Sequence, residues 1–165
     1  MTIEVSTDRN RIDDDMVFRF LHDEAYWCRG IGRDAVESAL ARSVCFGAYD
    51  EGRQVGFARV VSDHATFAYL CDVFVLEPWR GRGVGKALMR AVMEHPSVTG
   101  LRRVVLATLD AHGLYESFGF RPLTRVERWM AIELTPEEAY GSSGDAARRA
   151  DERGPRDDAE GPCLR

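Results

Sequence analysis

The sequence predicts one α/β domain built on a mixed sheet. Two observations carry this reading. Helix-like and strand-like stretches follow one another in the order β, α, α, β, β, β, α, β, α, β, and the nearly continuous apolar run at 67–76 feeds a glycine-rich turn that opens an amphipathic helix. A chain of 165 residues is long enough for one domain with a real core.

Each element has its own justification. Residues 3–5 form a short first strand. Asp13, Asp14 and Asp15 offer an N-cap and first-turn acids matched to the helix dipole, and Met16, Phe18, Leu21 and Ala25 supply the apolar face of the helix that follows. Residues 26–32 break that period and form a loop. Asp34 caps a second helix, with Val36, Ala39, Leu40 and Val44 on one face. Residues 45–49 and 54–61 pair as a hairpin about the Asp-Glu-Gly turn at 50–52. The run 67–76 is a central strand buried on both faces. Residues 85–94 form a helix that stops before Pro96. Residues 103–109 are a strand, 111–118 a short helix closed by Gly119, and 126–134 the last strand, with Trp129 and Met130 inside it.

From residue 135 the character changes. Residues 135–165 are rich in Gly, Ala, Asp, Glu and Arg and hold hardly any core-forming side chains, so a folded domain at 1–134 and a disordered charged tail at 135–165 are expected. The net charge of −5 argues against a nucleic-acid partner. No apolar stretch approaches the length of a membrane span, and residues 1–15 carry no apolar signal core, so a cytoplasmic protein without a membrane partner is expected. Cys28, Cys45, Cys71 and Cys163 have no paired spacing; they read as reduced thiols, with no metal site implied.

The chemistry points to residues 73–90. A strand that runs through a Gly-rich turn into a helix aims several backbone N–H groups at one spot, at the positive end of a helix dipole, which suits a phosphate or pyrophosphate. A P-loop is excluded because Ala87 stands where a hydroxyl must follow Gly85-Lys86, and Arg80 stands where its first glycine belongs. A dinucleotide fingerprint is excluded because, counted from Gly81, its third glycine falls on Lys86. What fits is Arg80-x-x-Gly83-x-Gly85, after a strand and before a helix.

This pattern resembles the acyl-CoA pyrophosphate loop of the GNAT N-acetyltransferase superfamily. A second stretch, His112-Gly-Leu-Tyr115-Glu-Ser-Phe-Gly119-Phe120, is similar to that family's helix carrying a Leu-Tyr pair before a Gly-Phe turn. The resemblance runs from about the first helix to Leu134. It implies a twisted, mostly antiparallel mixed sheet flanked by helices and splayed between its fourth and fifth strands, with the acyl-CoA arm in the gap. It further implies that Val73 and Val75 bond the pantetheine arm through their backbone. Arg80, Gly81, Arg82, Gly83, Val84, Gly85 and Lys86 would cradle the pyrophosphate, and Tyr115 would protonate the departing thiolate. Thr108 stands where many relatives carry a cofactor-binding asparagine, and Tyr69 stands where histone-directed relatives carry a glutamate base.

The acceptor side is read from the residues themselves. Tyr26 and Trp27 form a wall of an acceptor pocket by stacking or cation–π contact, or else bury against the sheet. Asp72 is an acid in an otherwise apolar strand: a substrate-binding or basic group, or a partner for a neighbouring loop. His112 near Tyr115 is a titratable neighbour, His64 and Asp63 read as solvated turn residues, and Cys71 reads as core. The resulting expectation is acetyl transfer from acetyl-CoA to a primary amine of a small molecule by direct attack in a ternary complex, without a metal. A homodimer is admitted, because dimers are common in the family. The rivals are a non-catalytic acyl-CoA-binding module and a nucleotide-binding enzyme.

Overall fold

The computed structural model describes residues 2–141, and the remainder of the expected tail lies outside the described residues. Five strands form one sheet in sequence order: β1 (Glu4–Ser6), β2 (Val44–Asp50), β3 (Arg53–Ser62), β4 (Phe67–Val75) and β5 (Arg103–Val105). The first four are antiparallel, and β5 joins β4 in parallel. Helix α3 (Val84–Glu94) covers one face together with the short α4 (His112–Glu116), while α1 (Asp14–Arg19) and α2 (Arg33–Ala41) cover the other. The β2–β3 turn has positive φ at both central residues, Glu51 (49°) and Gly52 (81°), the sense that matches strand twist.

Local signals explain most of this. Asp13 caps α1 by accepting a hydrogen bond from the Met16 N–H, and a π-helical turn, Phe20–Glu24, continues it. That turn shifts the buried set to Met16, Val17, Phe20, Leu21 and Ala25, so Phe18 is not in the central stripe as expected; it lies half-buried beneath the Arg33 guanidinium, 4.4 Å from its ring centroid. Gly32, not Asp34, is the N-cap of α2, and Val44 begins β2 rather than continuing the helix. Gly56 lets α3 approach β3 closely: a Cβ there would lie 3.1 Å from the Phe74 carbonyl oxygen and 3.2 Å from Leu88 Cδ1.

Strand β4 departs from the expectation that both its faces are buried. Ala68 and Leu70 are buried, but Phe67 and Tyr69 on the opposite face are 37% and 39% exposed. The register against β3 then slips: Arg59 pairs with Cys71 and Phe57 with Phe74, so β4 holds an extra residue. This bulge turns the strand over. Before it, Ala68 and Leu70 pack in the α3-side core. After it, Val73 and Val75 do so, while Phe74 crosses to stack on Phe20 at a centroid distance of 3.8 Å.

Of the two last expected strands, one is shorter than its pattern suggests and the other does not form. β5 ends at Val105, not near Leu109. No strand forms at 126–134: a 3-10 turn at Val126–Arg128 opens an exposed stretch in which Met130 and Ile132 are 98% and 100% accessible. An apolar run alone does not make a strand; it needs a partner edge to satisfy its amides. Trp129 is instead held by Arg103, whose guanidinium lies 4.9 Å from the indole centroid.

The folded part extends past Leu134. Thr135 and Glu138 form a reciprocal capping box, and α5 (Pro136–Tyr140) sets Tyr140 against the core formed by α1 and α2. Thr135→Ala is expected to cost about 1 kcal/mol locally. Faster hydrogen exchange at the Ala139 amide, with the α3 amides unchanged, is the check.

Candidate active site

Strands β4 and β5 pair only at Phe67–Arg103, Ala68–Val104 and Tyr69–Val105. Beyond these residues β4 bulges and β5 ends, so the strands part. The resulting cleft opens a cavity of about 330 Å³ between the β4 residues 69–73 and residues 107–111 after β5. Tyr26, Trp27 and Tyr115 complete its wall.

At the end of β4 the chain passes through a 3-10 turn, Glu77–Trp79, into the glycine loop. Gly81 and Gly83 have φ of 71° and 84°, and Gly83 is the left-handed N-cap of α3. A Cβ on either would meet no protein atom within 4 Å, so the positive φ, not crowding from the chain, is what calls for glycine. No side chain caps this helix end, and the first amides of a helix have no intrahelical acceptor. Arg82 and Lys86 are exposed, and Arg80 donates from Nε to the Val75 carbonyl at 3.0 Å, bracing the end of β4. None of these three cations forms an ion pair among the described residues. A helix N-terminus with open amides and three cations fits a pyrophosphate.

Tyr115 lies on α4, which Thr108 helps to start: the Thr108 hydroxyl accepts from the Ala111 N–H at 3.1 Å. That bond gives Thr108 a structural task beside any contact with a cofactor. Gly119, at φ 90°, lets the chain turn back so that the Phe120 N–H reaches the Tyr115 carbonyl. The Tyr115 side chain is buried, and burial, helped by the nearby Asp110 carboxylate, pushes its phenol up to about 12. The group therefore holds its proton at neutral pH. His112 is exposed at the start of α4, on the groove behind Tyr115 rather than in the cleft cavity.

Loop 26–32 ties the two walls of the cleft together. The Trp27 indole Nε1 donates to Asp72 Oδ1 at 3.0 Å, and the Tyr26 hydroxyl accepts from the Leu109 N–H at 3.3 Å. Asp72 sits in the bulge at φ 51°, and its other oxygen accepts from Arg59 Nε at 2.6 Å. Arg59 also donates from Nη1 to the Ser43 hydroxyl at 3.0 Å. Burial disfavours the charged guanidinium, but the adjacent Asp72 outweighs this and holds Arg59 more firmly protonated than usual. Both carboxylate oxygens are thus engaged by protein donors.

Arg59 and Ser43 escape a reading of the sequence because their contacts depend on strand register. The available signal was a pair of lone opposite charges, Arg59 and Asp72, in two neighbouring apolar strands. Cys71 donates weakly to the Arg59 carbonyl, and burial pushes its thiol up to about 12, which suits core rather than nucleophile. Asp63 organises the β3–β4 turn by accepting the N–H groups of Ala65, Thr66 and Phe67. Among the described residues no group of three or more His, Cys, Asp or Glu could hold a metal ion, and no helix is long and apolar enough to cross a membrane.

Comparison with known proteins points the same way. The model of the acetyltransferase (GNAT) domain matches residues 41–122. A solved structure from Xanthomonas campestris pv. campestris, described as an acetyltransferase of the GNAT family, aligns with a TM-score of 0.80 at 48% identity, covering 82% of this chain and 96% of its own. A Gibberella zeae protein named as an acetyltransferase is 29% identical over 161 residues, 84% of this chain and 90% of that protein. Thialysine N-epsilon-acetyltransferase of Sus scrofa is 34% identical over 73 residues, which span 42% of this chain and 43% of that enzyme.

Proposed function

The chain belongs to the GNAT family of acetyltransferases, and from that premise we propose that it transfers an acetyl group from acetyl-CoA to a primary amine of a small molecule. An acyl-CoA cosubstrate goes with the family. The observation that best supports the rest is the parting of β4 from β5, which puts the Tyr115 side chain and the bulged main chain of β4 on one cavity.

Acetyl-CoA supplies an activated thioester carbonyl. The amides of residues 83–86, with Arg80, Arg82 and Lys86, hold its pyrophosphate. The main chain at Val73 and Val75 aligns the pantetheine arm, and the Val75 N–H polarises the reacting carbonyl. Tyr26, Trp27 and Asp72 bound the acceptor. A neutral amine attacks in a ternary complex: the N–C bond forms as the C–S bond breaks, the proton of the buried Tyr115 phenol goes to sulfur, and the amine's surplus proton leaves to water, from which the Tyr115 phenolate regains its own. The products are the N-acetyl amine and free CoA. The mild negative net charge is consistent with a cytoplasmic enzyme of small molecules, without nucleic-acid or membrane partners.

A screen of primary amines for thiol release from acetyl-CoA tests this reading. With an accepted amine, Tyr115→Phe is expected to lower kcat about 100-fold, at the low end of what general acid–base catalysis supplies, with acetyl-CoA affinity within about twofold of the parent. Because the phenol titrates near 12, the parent rate should rise between about pH 7 and 9 as the amine loses its proton, with no fall caused by Tyr115. Unchanged kcat in Tyr115→Phe across that interval would remove the residue from the reaction.

A further inference from the structure

The cleft cavity is bounded by acids and aromatic rings, and by no base. Asp72 and Asp110 are the charged groups of its lining, and Tyr26, Trp27, Tyr69 and Tyr115 contribute rings. Tyr26 and Trp27 meet edge to face at 5.0 Å, and each remains substantially exposed, 47% and 38%. No cationic side chain lines this cavity; Arg59 lines an adjoining cavity that shares Trp27, Tyr69, Cys71 and Asp72 with it, and its Nε and Nη1 are already donated to Asp72 and Ser43. Asp72 is thereby neutralised by its partner. Asp110 is exposed and forms no ion pair among the described residues.

These charges discriminate between acceptors. An acceptor with a carboxylate or phosphate would bring an anion to a wall that offers rings and an unpaired acid. An acceptor with a second ammonium would find the negative faces of the Tyr26 and Trp27 rings and the Asp110 carboxylate. We propose, building on the acetyltransferase reading, that the acceptor is a linear amine bearing a second positive charge. The distal ammonium rests against Tyr26, Trp27 and Asp110, and the reacting amine points toward Tyr115. One end is bound as a cation while the other sheds its proton to attack, so binding and reactivity fall on different nitrogens.

Three probes of matched length separate the possibilities: 1,5-diaminopentane, pentylamine and 5-aminopentanoate, each assayed by thiol release from acetyl-CoA. The expected kcat/KM order is the diamine about tenfold above the monoamine, and the monoamine about tenfold above the amino acid, as for charges interacting at a partly exposed site. Asp110→Asn should shrink the diamine-to-monoamine ratio to about twofold. Equal rates, or a preference for 5-aminopentanoate, with acetyl transfer intact would overturn this inference and leave the acetyltransferase reading standing. An unchanged ratio in Asp110→Asn would overturn it equally. No thiol release with these probes or with the wider amine screen would overturn both.

Discussion

Gly83→Val is expected to weaken acetyl-CoA binding by about 100-fold or more, equivalent to about 2.7 kcal/mol, while the protein still folds. Gly83 is the N-cap of α3 at φ 84°, and its surroundings are open. A β-branched residue there either pays roughly 1–2 kcal/mol for a left-handed conformation or flips the loop out of it. In both cases its side chain stands between the α3 amides and an approaching phosphate. Gly100→Val supplies the control, because Gly100 also has a positive φ, 78°, in open space but lies in the turn after α3. The two variants should lose similar amounts of thermal stability, and only Gly83→Val should lose cofactor. Titration calorimetry with acetyl-CoA and a melting curve for each variant make the comparison. Equal cofactor affinities in the two would mean the loop does not hold the pyrophosphate.

Arg59→Met is expected to be the most destabilising of the single changes proposed here. It leaves the Asp72 carboxylate largely buried, with side-chain exposure of 10%, and without its cation. Breaking such a pair from one side costs about 3–5 kcal/mol, which for a domain of this size lowers Tm by roughly 10 °C. Adding Asp72→Asn should restore most of the loss. Asparagine tolerates the left-handed conformation that Asp72 adopts at φ 51°, can still accept from Trp27, and carries no orphaned charge. The coupling between the two changes is the quantity to measure. Simple additivity would show that the pair contributes nothing beyond its separate contacts. The parent network also fixes the bulge that parts β4 from β5, so the single variant should lose turnover more steeply than the double variant.

What the sequence made legible was local. The hairpin about Glu51 and Gly52, the Asp13 cap, the helix stop before Pro96, and the strand–glycine–helix passage at 73–90 are all written in neighbouring residues, and all form. The positions of two candidate site residues follow from the same local signals: the Gly83 loop opens α3, and Tyr115 lines the cleft cavity. What escaped depends on pairing between distant residues. Trp27 meets Asp72 across 45 positions and Arg59 meets it across 13, and the second contact exists only because a bulge resets the register. The stretch 126–134 shows the reverse failure. Its apolar run from Trp129 to Ile132 suits a strand, yet the described part of the chain brings it no edge to pair with, and Arg103 engages Trp129 instead.

The central claim is that coenzyme A lies with its pyrophosphate on the amides opening α3 and its thioester between β4 and β5. Amide chemical-shift mapping of the 15N-labelled protein during titration with acetyl-CoA tests it most directly. The account predicts large, saturable shifts at residues 82–86 and 72–76 and smaller ones at Thr108 and Tyr115. Shifts confined to the groove behind Tyr115, around Phe120 and Leu123, with the glycine loop unmoved, would contradict it.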